Sequence, residues 1–144
     1  IGEEDRHHGY YAVGYALGSS PSETSADKTF NYALWTLIEQ PLLHIGESHL
    51  GAMWQGGTSP ASRSTCRHYW GAGLIWSNIP PRMTQVGLVV NRALYADGRE
   101  TDVELTGSFP VCNHFTLQPA VHCINTNGNY TAAAQLRAIL EFGN

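Results

Sequence analysis

Apolar residues recur in two different rhythms along this chain. Between Tyr10 and Leu17, the large residues Tyr11, Val13, Tyr15 and Leu17 alternate with the small residues Ala12, Gly14 and Ala16, which predicts a strand. Phe30, Ala33, Leu34, Leu37 and Ile38 instead fall at helical spacing. They predict a helix that starts at Thr24 or Ser25 as N-cap and stops near Gln40, before Pro41. A second helix is predicted from a cap at Thr131, with Ala132, Leu136, Ile139 and Leu140 as its stripe and Gly143 as its stop.

The middle of the chain reads as sheet. Tyr69 to Trp76 is an uncharged run of aromatics and glycines ended by Pro80-Pro81, as a buried strand would be. Val86 to Tyr95 and Glu100 to Leu105 flank Ala96-Asp97-Gly98-Arg99, and Asp-Gly between such runs predicts a hairpin with a type I′ turn. In that register Val86, Leu88, Val90 and Leu94 share a face with Thr101, Val103 and Leu105, interrupted by Arg92. Glu100, Asp102 and Glu104 take the other face. Val111 to Leu117 and Ala120 to Ile124 predict a further strand pair around Pro119, Leu42 to Trp54 has no clean period, and Gln55 to Thr65 reads as a long surface loop. The sum is an α+β fold: a mainly antiparallel twisted sheet with two helices packed on one face. A single domain is expected over residues 1–144, residues 1–8 being a charged N-terminal arm.

Composition narrows the class. With 144 residues, 42% hydrophobic and 14% charged, the chain has enough apolar surface for one core. No apolar run reaches the roughly 18 residues of a membrane helix, so no membrane span is expected. A net charge of −4 disfavours nucleic acid as a partner, since phosphates call for a clustered basic surface. Lys28 stands alone against seven arginines, a balance that suits a protein entering a host cytosol, where lysine is the ubiquitin acceptor. Asn129-Tyr130-Thr131 is an N-glycosylation acceptor and the chain begins at Ile1, so a secreted, extracellular glycoprotein is expected. In that setting Cys112 and Cys123 are predicted to form a disulfide, leaving Cys66 either buried or bonded to another chain.

Candidate chemistry is sparse. His44, Glu47 and His49 place one acid and two bases within six residues, the ingredients of general acid/base catalysis. Their spacing excludes the metalloprotease helix motif, whose histidines stand four apart. Cys66-Arg67-His68 and Cys112-Asn113-His114 share the form Cys-x-His, but the gap is short for a zinc module, and neither a metal nor another cofactor is expected. For binding, the candidates are Arg92 on its apolar strand, Arg67 with His68, and Trp54 among glycines. The function these readings predict is a secreted, non-enzymatic interaction protein of toxin or effector type. It would grip a protein or glycan partner, on a host cell for instance, through loops and the acidic hairpin. The alternative is a small secreted toxin-like enzyme, a ribonuclease or ADP-ribosyltransferase, built on His44, Glu47 and His49. Protonating all seven histidines would carry the formal charge from −4 to −4 + 7 = +3, so binding would also depend on pH.

Overall fold

In the computed structural model, residues 9–22, 25–59, 66–82 and 84–141 are described, and every regular element among them is a strand. β1 (Tyr10–Ser22), β2 (Ser25–Ile45), β3 (Ser48–Thr58), β4 (Cys66–Ile79), β5 (Thr84–Tyr95), β6 (Arg99–Cys112), β7 (Phe115–Thr126) and β8 (Asn129–Leu140) follow one another. They form one sheet in the order β1-β2-β3-β4-β5-β6-β7-β8, each strand antiparallel to the next. Antiparallel neighbours need only short turns, and this chain supplies them. Gly46 opens the β2–β3 turn at φ 63°, the position that a type II′ turn reserves for glycine. Asn127 and Gly128 close β7–β8 at φ 54° and 95°, the pair of positive values that defines type I′.

The two predicted helices are strands β2 and β8, and the α+β expectation gives way to an all-β sheet. The physical reason is that both segments are apolar on both faces. In β2, Leu34 and Ile38 lie on one face and Ala33 and Leu37 on the other. In β8, Ala132, Leu136 and Leu140 lie opposite to Ile139. A run apolar at odd and even positions satisfies a helical period by accident, and only its neighbours decide the outcome. The strand pair expected around Pro119 is one continuous strand, β7, while Val111 belongs to β6. Residues 55–58 of the expected 55–65 loop belong to β3, whereas residues 60–65 of it and the expected arm at residues 1–8 lie outside the described residues. The β5–β6 hairpin has the predicted register, with Val90 opposite Val103 and Arg92 opposite Thr101. Its turn differs: Tyr95 N–H donates to the Gly98 carbonyl at 2.8 Å, and Gly98 is not among the positive-φ residues.

The predicted Cys112–Cys123 disulfide is also corrected, since none of the three cysteines is in a disulfide. Cys112 ends β6 opposite Phe115, whereas Cys123 lies opposite Val103. Nine residues of strand separate those levels, about 30 Å at 3.3 to 3.4 Å per residue, far beyond the reach of an S–S bond.

This sheet encloses almost no core. Among the described residues, Ala120 is the one buried hydrophobic residue and no large side chain is fully buried. The accessible surface is 10452 Å², against roughly 7,300 Å² for a folded monomer of this mass. Most of the large apolar residues left exposed lie on one side.

Candidate functional site

Register assigns every strand residue to one of two faces. The first carries Tyr11, Val13, Tyr15 and Leu17 of β1, Tyr32, Leu34 and Ile38 of β2, and Ala52 and Trp54 of β3. It continues through Trp70, Ala72, Leu74 and Trp76 of β4, Val86, Leu88 and Val90 of β5, and Val103 and Leu105 of β6. Val121 of β7 and Ala132, Ala134, Leu136, Ala138 and Leu140 of β8 complete it. This apolar face is continuous across all eight strands. The second face carries Gln55, Tyr69, Asn91, Glu100, Asp102, Glu104, Gln118, His122, Gln135 and Arg137, interspersed with Gly14, Gly71, Gly73, Gly87 and Ala120 and with the apolar Trp35, Leu37, Met53, Ile75, Val89 and Ile124.

Exposure runs opposite to the usual rule for a protein in water. Val103, Leu105 and Val121 are 39%, 55% and 55% exposed, while Asp102 and His122, on the other face, retain 20% each. The sheet therefore curls around its polar, glycine-rich face and turns its apolar face outward.

On the inner face the polar groups bond to one another. The Tyr69 hydroxyl donates to Asn91 Oδ1 at 2.9 Å, and Gln55 Nε2 reaches both Tyr69 and Asn91. Gly71 makes room for this knot, because a Cβ there would stand 2.4 Å from Asn91 Oδ1. Gly14 similarly lies under the ring of Trp35. Burial, and secondarily the charge of Asp102, push the Tyr69 hydroxyl pKa above its ordinary value of 10.0. Across the sheet His122 Nδ1 stands 3.0 Å from Asp102 Oδ2. The donor atoms of Asp102, Glu104 and His122 lie within 4.8 Å of one another, and buried Asp102 Oδ1 has no hydrogen-bond partner. An oxygen, oxygen and nitrogen set of this kind could hold a divalent cation.

His44 and His49 face each other across the β2–β3 hairpin with ring centroids 6.0 Å apart. They line a 430 Å³ recess with Glu39, Ser77 and Gln85, while Glu47 sits in the exposed turn beside them. Trp54 is a strand residue, not a loop residue, and stacks on Trp70 at 5.9 Å and 10°. Trp70 is in register with Arg92, and His68 with Leu94, so Trp54, His68 and Arg92 share the apolar face. Arg67 occupies the β4 bulge with its Nε buried and without a partner. Asn129 starts β8, exposed, beside the β7–β8 turn. Cys66 and His68 of β4 are not brought to Cys112 and His114, since β4 does not neighbour β6 or β7.

Sequence reasoning missed the extent of the apolar face and the Gln55–Tyr69–Asn91 knot. The signal for the first was the alternation in six of the strands, hidden in β2 and β8 by apolar residues on both faces. Comparison with protein-family models, with curated proteins and with solved structures found no match to this chain.

Proposed function

We propose that this chain is a membrane-inserted β-sheet protein, its eight strands forming wall of a transmembrane barrel. The apolar face meets lipid acyl chains and the polar face lines the interior. The observation that carries this reading is the inverted exposure: large apolar side chains on the outside of every strand, carboxylates and amides inside. Spanning barrels require that alternation, apolar to lipid and polar to lumen.

Dimensions support it. β3 to β8 have 11, 14, 12, 14, 12 and 12 residues, against about 9 to 11 for a tilted spanning strand. The outward face is also zoned. Trp70, Arg92, Thr101, Asn125 and Tyr130 form one register row near one end, and Trp76 stands at the other end with Phe109 nearby on β6. Aromatic girdles flanking an apolar band are how barrels meet the two interfaces. No described helix is long and apolar enough to cross a membrane, but strands cross by another route. A soluble partner could also cover an apolar face, yet it would have to span all eight strands, and nothing in it would call for aromatic boundaries at both ends. Loop-borne partner binding, the expectation from sequence, is therefore the less favoured reading.

Lipid tolerates no open sheet edge, because unpaired backbone groups have no water to bond there. β1 and β8 are the edges of this sheet. First and last strands of an even-numbered meander run antiparallel, so these two edges have the polarity to pair with each other or with further strands. The test is refolding from urea into phosphatidylcholine vesicles. The reading expects vesicle-dependent gain of β-sheet circular dichroism, flotation with the vesicles in carbonate, and a folded band that shifts on boiling in gels. A chain that folds equally well without vesicles and does not float would refute it.

A further inference from the structure

On β3 to β8, charge on the outward face is confined to one corner. Among the described strand residues, Glu39, Glu100, Asp102 and Glu104 all take the inner face, whereas Arg92 and Arg99 take the outer one. Arg92 lies opposite Thr101 and Arg99 opposite Leu94, so the two arginines are diagonal neighbours, about 7 to 8 Å apart at their backbones. His68 is in register with Leu94, in the same row as Arg99, and its Nδ1 stands 3.0 Å from the Thr58 hydroxyl. Neither guanidinium has an ion-pair partner among the described residues. Two like charges placed diagonally on an apolar surface repel each other and lose hydration unless an anion lies between them.

Position names the anion. The pair sits at the end of the apolar band, beside Trp70 and next to the β5–β6 turn, which is where the hydrocarbon would end and headgroups begin. Arginine stems extend along apolar surface while their heads reach that boundary, and a guanidinium fork matches a phosphate's oxygens in a way that lysine does not. We infer that the outward patch of Arg92, Arg99 and His68 holds the phosphate of an anionic phospholipid headgroup, its acyl chains lying along the adjoining apolar face. This inference rests on the membrane-inserted reading above.

The experiment uses the full chain in phosphatidylcholine vesicles doped with phosphatidylglycerol, either lipid being brominated in turn. Trp54 and Trp70, stacked beside the patch, report which lipid is adjacent through fluorescence quenching. Enrichment of phosphatidylglycerol over phosphatidylcholine is expected, by about fivefold per arginine engaged. Arg92→Gln with Arg99→Gln should abolish the enrichment and still insert into pure phosphatidylcholine. Arg92→Lys with Arg99→Lys should retain part of it, and inorganic phosphate should not displace the lipid. Equal quenching by the two lipids, enrichment that survives in the glutamine variant, or displacement by inorganic phosphate would overturn the inference. Failure of the wild-type chain to insert into phosphatidylcholine would instead overturn the membrane reading on which it stands.

Discussion

Leu105 and Glu104 are adjacent in β6 and lie in opposite worlds. Leu105 stands between Leu88 and Val121 on a face where all three are exposed, whereas Glu104 stands between Val89 and His122 on the sheltered side. A protein folded in water would reverse the two. The contrast teaches that this sheet obtains little stability from burying apolar groups against itself. What organises it internally is backbone pairing and polar side-chain bonds, and its apolar surface calls for a medium.

The sharpest way to break the contrast is to put one charge on each face. Leu105→Arg should destabilise the inserted state by about 2 to 4 kcal/mol, the cost of arginine on a lipid face near the midplane. Gln118→Arg, on the inner face, should cost less than a quarter of that, and equilibrium unfolding by urea in vesicles measures both. Next comes packing on the inner face: Gly71→Val would drive side-chain atoms into Asn91 and Gln55, with an expected cost of about 1 to 3 kcal/mol. The same change at Gly18, where nothing lies within 4 Å of an added Cβ, should have little effect. Smaller again is the turn. Gly128→Ala must hold φ near 95°, which costs about 1 to 2 kcal/mol and should show first as fraying of β8 in amide exchange.

The smallest expected effect concerns pH. Because Tyr69 titrates above 10.0 in the fold, its contribution is fully present below the unfolded-state pKa and is lost as pH rises through the folded one. Stability of the wild type should therefore decline at alkaline pH more steeply than that of Tyr69→Phe. Parallel declines would show that the inner-face knot is no drier than its surroundings.

How much of this was legible in the sequence depended on whether a strand was apolar on one face or on two. Val86 to Leu105 could be read almost residue by residue, because Asp102 and Glu104 alternate with Val103 and Leu105 and so fix the faces. Arg92 stood out there for the same reason. β2 and β8 could not, since Ala33, Leu37 and Ile139 place apolar groups on the inner face and erase the alternation. Turn chemistry was legible only in part: Asp97-Gly98 drew attention, yet Asn127-Gly128 carries the I′ geometry. His44 and His49 form a cluster legible from their closeness in sequence, and the hairpin sets them face to face. The Tyr69 knot was invisible, since its partners Gln55 and Asn91 lie on flanking strands and only register joins them.

The period-two exchange of environments along β6 is the central claim, and it can be measured directly. Single cysteines placed in turn from Thr101 to Phe109, in a chain whose own three cysteines are replaced, would be labelled with an environment-sensitive fluorophore after insertion into vesicles. Residues 103, 105, 107 and 109 should be quenched by nitroxide lipids, and 102, 104, 106 and 108 by aqueous iodide. Equal access of iodide to both sets, with no quenching from the lipid phase, would contradict the account.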